Sequence, residues 1–178
     1  YSIFLFLLFG LTEFIGGYLY MKMHAYSDLS ISSILTRTRL IWVPLIAFFL
    51  INESLHMTDY IGIGIIFLGI SLTMAPKKLM MDKGAHYVNL SAFLIAINVV
   101  LTKMLLPYGS NAVLMTALAL PSIFLFPLFM KNSPKRIKIL FKTNIVLKTF
   151  AIGLNLVALY LFMAAMRIGE ASKVNAVY

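Results

Sequence analysis

Residues 1–21 read YSIFLFLLFGLTEFIGGYLYM, and a single carboxylate, Glu13, interrupts them. The run is apolar all round rather than on every second residue, so it is a helix that meets apolar surroundings on every side. At 1.5 Å per residue, roughly 20 such residues cross a hydrocarbon core of about 30 Å. Lipid offers the backbone no hydrogen bonds, so a spanning segment must satisfy its own, as a helix does. Similar runs follow, LIWVPLIAFFLI over 40–51 and YIGIGIIFLGISL over 60–72. The fold class expected is all-α, a polytopic transmembrane helical bundle.

Composition narrows the function. The chain of 178 residues is 61% hydrophobic and 12% charged, with a formal charge of +9 and no cysteine. Without cysteine there is no disulfide, thiolate metal site or thiol nucleophile. In a soluble protein the positive charge would suggest nucleic acid. Here the basic residues gather between apolar spans, which is how membrane orientation is encoded.

Seven spans are predicted, over 2–23, 30–52, 58–75, 87–107, 110–130, 146–167 and a last one opening near Glu170. Helix caps are expected at Tyr26-Ser27-Asp28 and Thr58-Asp59, and breaks at Ala75-Pro76-Lys77-Lys78, Pro107-Tyr108-Gly109-Ser110 and Asn132-Ser133-Pro134-Lys135. A weak internal repeat lies 142 positions apart. It sets Tyr18-Leu19-Tyr20-Met21 on Tyr160-Leu161-Phe162-Met163, Asp28 on Glu170 and Ser30 on Ser172. The copies are five helices apart, and an odd number inverts the second copy in the membrane, the plan of many secondary transporters.

The stretch Ser33-Ile34-Leu35, Val43-Pro44-Leu45, Asn52-Glu53-Ser54-Leu55, Tyr60-Ile61-Gly62-Ile63-Gly64 and Leu68-Gly69-Ile70 resembles the EamA family of drug/metabolite transporters. The shared features are a central proline (Pro44), a closing Glu (Glu53), and a following helix with Gly62 and Gly69 seven residues apart. Arg167-Ile168-Gly169-Glu170-Ala171-Ser172 resembles the family's lead into its ninth helix. The resemblance implies a ten-helix fold of two inverted five-helix repeats, of which this chain would be a fragment. Residues 1–76 would hold the last three helices of the first repeat. Residues 77–178 would hold the first three of the second and the start of its fourth.

Polar groups at depth are the functional candidates, since an ionisable residue held in hydrocarbon is costly. By helical rise, Glu13 lies roughly 16 Å and Arg39 roughly 13 Å inward from the same face, on consecutive antiparallel helices. Asn98 and Asn155 fall at comparable depth on two further spans, and the repeat sets Asn155 on Glu13. Four polar groups at one level suggest a midplane substrate cavity, with Trp42, Tyr18 and Tyr160 as further candidates. A structural reading stands beside it: Glu13 and Arg39 as an ion pair, the two asparagines as interhelical hydrogen bonds. Arg37, two residues from Arg39, faces away from it and is expected to reach toward the interface.

Other motifs carry less. Gly62, Gly64 and Gly69 are expected to permit close helix packing rather than to bind a dinucleotide. His24, His56 and His86 lack ligand spacing. Glu53 is expected to cap or clasp the turn before Thr58, with a gate role as the alternative. No catalytic grouping is visible, no metal site, and no cofactor is implied. Lys22, Lys77, Lys78, Lys83, Lys131, Lys135, Arg136, Lys138, Lys142 and Lys148 collect on one face, against Glu53, Asp59, Arg167, Glu170, Lys173 and Lys103 on the other. The positive-inside rule puts the first face in the cytoplasm, whereas the resemblance, with both termini inside, implies the reverse.

The expected function is that of a secondary carrier moving a small polar metabolite, such as an amino acid, by alternating access. The alternatives are a non-transporting membrane scaffold or receptor, or a membrane-embedded enzyme. The partners expected are the substrate and the bilayer, with proton or exchange coupling and no nucleic acid, in a monomer or homodimer of a bacterial plasma (inner) membrane.

Overall fold

A computed structural model of the chain describes residues 2–23, 26, 36–53, 56–74, 83–129, 144–169 and 171–177. The expected breaks around Ser27-Asp28, Pro76-Lys77-Lys78 and Asn132-Ser133-Pro134-Lys135, with Ser30, Ser33 and Glu170, lie outside them. Among the described residues the protein is all-α with no strand. The helices are α1 (Ser2–Met23), α2 (Arg39–Ile51), α3 (Met57–Met74), α4 (Lys83–Leu105), α5 (Asn111–Phe129), α6 (Ile145–Ile168) and α7 (Ala171–Val177). A 3-10 turn over Leu106–Tyr108 joins α4 to α5. Four helices are long and apolar enough to cross a membrane, over Ile3–Met23, His86–Tyr108, Asn111–Phe129 and Ile145–Ile168. Of the span expected over 30–52, residues 30–35 lie outside the described ones; Thr36 is helical, Arg37 and Thr38 form a turn, and a regular helix runs from Arg39.

The core runs along α4. Helix α1 packs along its length, α2, α6 and α7 also touch it, and α1 packs on α5 as well. Phe9, Val43, Ala96, Val100, Leu105, Leu114, Met163 and Met166 are buried between them. Lipid tails are as apolar as leucine, so packing and interhelical hydrogen bonds, rather than transfer from water, hold such helices together. Two of those bonds join α1 to α4. Ser91 Oγ donates to Gly16 O at 2.9 Å, and Asn98 Nδ2 donates to Phe9 O at 3.1 Å. Ile3, Leu7, Val146, Phe150 and Val157 are exposed on the outer faces, as lipid contact requires.

Local chemistry sets the helix ends. Asn52 closes α2 in the left-handed region (φ 54°), and the N–H groups of Asn52 and Glu53 both turn back to Ala47 O. Asparagine tolerates that conformation. Helix α3 starts one residue earlier than the Thr58-Asp59 cap expected from sequence. His56 is the cap position, and the Asp59 carboxylate reaches back to its N–H at 3.1 Å. This is the reciprocal half of a capping box.

The glycines correct a second expectation. A Cβ on Gly62, Gly64 or Gly69 would meet nothing within 4 Å, so these residues do not mediate close packing among the described helices. Gly10 does. A Cβ there would lie 2.5 Å from Pro121 Cγ and 2.7 Å from Ala117 O. Pro121 has no N–H to give Ala117 O, four residues earlier, and α1 crosses α5 at that freed carbonyl.

Candidate functional site

A cavity of about 440 Å³ opens between α1, α2, α4, α5 and α6. Each of four helices sends it one polar side chain that the sequence had singled out: Glu13 from α1, Arg39 from α2, Asn98 from α4 and Asn155 from α6. Thr102 and Ser122 add hydroxyls, and Met115, Leu118, Phe162 and Met163 supply apolar wall. The arrangement follows from chain direction. Glu13 lies near the middle of α1, Arg39 begins α2, and Asn98 and Asn155 lie within α4 and α6.

The bonding separates the four. Asn98 is partly structural, since its amide donates to Phe9 O and, at 3.4 Å, to Thr12 Oγ1. Thr12 Oγ1 in turn donates to Leu8 O at 2.9 Å. The structural ion pair considered for Glu13 and Arg39 is not formed: both line the cavity and no ion pair joins them. Asn155 sits on a stretch of α6 that is exposed along its length, 151–158. A guanidinium, a carboxyl and two amide side chains thus line one cavity.

Three other candidates stand outside this cavity. Trp42 is half-buried, edge-on to Phe93 with ring centroids 5.2 Å apart. Tyr18 belongs to an aromatic cluster, stacked on Phe14 at 6.4 Å with Phe129 at 5.9 Å and Lys22 Nζ 5.3 Å from its ring centroid. Tyr160 lines a different cleft, at the C-terminal end of α6. Sequence reasoning missed Thr102 and Ser122. Thr102 was findable, because it is one turn beyond Asn98 on the same face. Its hydroxyl bonds back to Asn98 O at 2.9 Å. Ser122 had no comparable signal.

A polar layer closes the bundle beyond the cavity, next to Thr102 and Met163. Lys103 Nζ donates to the Met166 carbonyl at 2.7 Å and also to that of Gly169. These carbonyls end α6, where the helix dipole favours a cation. Glu53 Oε2 accepts from Ala171 N–H at 3.1 Å, and Lys173 pairs with Asp59 at 3.1 Å. Glu53 is therefore a cap of α7. Among the described residues no group of three or more His, Asp or Glu side chains could hold a metal ion.

Comparison with known proteins agrees with this architecture. Residues 2–75, which are α1 to α3, match the EamA-like transporter family. No curated protein and no solved structure matched the chain.

Proposed function

We propose that the protein is a secondary carrier of a small zwitterionic metabolite of the amino-acid class, moved by alternating access. The observation that carries this is one cavity of about 440 Å³ lined by Glu13, Arg39, Asn98 and Asn155 from four different helices. Its volume falls within the roughly 300–1,000 Å³ of small-molecule sites. Arg39 offers planar N–H donors to a carboxylate, Glu13 offers an acceptor to an ammonium group, and the amides take either. Repeat-built transporters hold substrate at such a midplane level.

In this reading residues 1–76 and 77–178 belong to two inverted repeats, with α1 and α6 as counterparts 142 positions apart. The protein works in a bacterial plasma membrane, as monomer or homodimer, driven by a proton gradient or by exchange. The test is flux of radiolabelled amino acids across proteoliposomes holding the purified protein. Saturable flux that an excess of unlabelled zwitterion suppresses, and that neither the carboxylate-only nor the amine-only analogue suppresses equally, supports the proposal. Flux equal to that of empty liposomes across the amino-acid set overturns it.

A further inference from the structure

A second cleft, of about 940 Å³, lies at the end of the bundle between the α4–α5 turn and the last turns of α6. Arg167 is its charged group. Nε donates to Asn111 Oδ1 at 2.8 Å, Nη1 to Leu106 O at 3.2 Å and Nη2 to Gly109 O at 2.7 Å. All three acceptors are neutral, and among the described residues Arg167 makes no ion pair. A guanidinium has five N–H groups, so two remain to donate after these three bonds. The cation is thus held by three neutral acceptors, with no counter-charge paired to it among the described residues, at the helix end where a membrane helix meets water.

The walls suit one kind of ligand. Tyr108 and Tyr160 line the cleft and are more than half exposed, and tyrosines at helix ends mark the headgroup level of a bilayer. Ser110 lines it too, and its Oγ accepts from Val113 N–H at 3.4 Å, which leaves the hydroxyl proton to donate. Glu53 and Asp59, the acidic residues described on this end, are engaged with Ala171 and Lys173. We infer that this cleft binds the phosphodiester headgroup of an anionic phospholipid, held by the two remaining Arg167 N–H groups and the Ser110 hydroxyl. Planar N–H pairs match phosphate oxygens, and basic pockets between membrane helices take anionic headgroups. The site is separate from the cavity of Glu13 and Arg39.

The test is native mass spectrometry of the purified protein with phosphatidylglycerol and phosphatidylcholine of identical acyl chains. Phosphatidylglycerol should bind about fivefold more tightly, one basic residue's share of anionic-lipid affinity. Arg167→Gln should abolish that preference. Should Arg167→Gln not fold, Ser110→Asp decides. Aspartate caps a helix as well as serine does, leaves the Arg167 bonds in place, and sets a carboxylate where the phosphate would sit, so the preference should again vanish. Equal binding of the two lipids by the unaltered protein overturns the inference, as does retention of the preference by a folded Arg167→Gln or by Ser110→Asp. Displacement of phosphatidylglycerol by millimolar glycerol phosphate would overturn it in favour of a soluble phosphate ester.

Discussion

The Glu53 carboxylate caps the helix that begins at Ala171, 118 residues further along the chain, through an N–H···O bond of 3.1 Å. The bond ties the end of α2, inside the family-matched segment, to a helix outside it. Beside it the Asp59–Lys173 pair joins α3 to the same helix.

Replacing Glu53 should therefore loosen α7. Glu53→Ala should lower stability by about 1 kcal/mol, the usual cost of a lost N-terminal cap. Glu53→Gln, which keeps an acceptor oxygen, should cost less. Thermal unfolding of the purified protein in detergent gives the ranking, and equal losses would contradict a capping role.

Glycine positions offer a contrast within one protein. Gly10→Ala places a Cβ against Pro121 and the Ala117 carbonyl, and should cost about 1–3 kcal/mol as overpacking does. Gly64→Ala meets open space and gains helix propensity, so it should be neutral or stabilising by up to about 1 kcal/mol. The same unfolding assay measures both.

The two cavity asparagines should separate stability from transport. Asn98→Ala breaks the bond to Phe9 O and should cost about 0.6–2 kcal/mol, the range for interhelical hydrogen bonds. Asn155→Ala should leave unfolding unchanged and reduce flux, which parallel unfolding and proteoliposome measurements would show.

Orientation follows from charge. Single cysteines at Thr58 and Asn132 in this cysteine-free chain should label differently with an impermeant thiol reagent on intact cells. The positive-inside rule expects Thr58 labelled and Asn132 protected. The opposite pattern would assign the basic loops to the outside.

What the sequence disclosed and what it withheld follow one division. Depth along a helix is counted at 1.5 Å per residue, so Glu13, Arg39, Asn98 and Asn155 could be set at one level before any coordinates. Rotation about each helix axis was not readable, because α1, α3, α4 and α5 are apolar all round and no stripe marks the inner face. Trp42, Tyr18 and Tyr160 therefore fell outside the cavity although their depths were reasonable. Partners across the chain were equally hidden. Nothing near Glu53 names Ala171, and nothing near Gly10 names Pro121. The glycines of α3 meet no neighbour within 4 Å among the described residues, because a small residue permits close approach without requiring it.

The central claim is that Glu13 and Arg39 face a substrate rather than each other. The measurement is a double-mutant cycle with Glu13→Gln, Arg39→Gln and both together, read in stability and in flux. Because no ion pair joins them, the double variant should not recover the stability lost by the single ones. Each variant, and the double, should be folded and lose most of its flux. A structural pair behaves differently, since removing one partner strands the other's charge while removing both does not. If the double variant recovers the stability lost by the singles and transports as the unaltered protein does, the pair is structural and the account of the cavity is wrong.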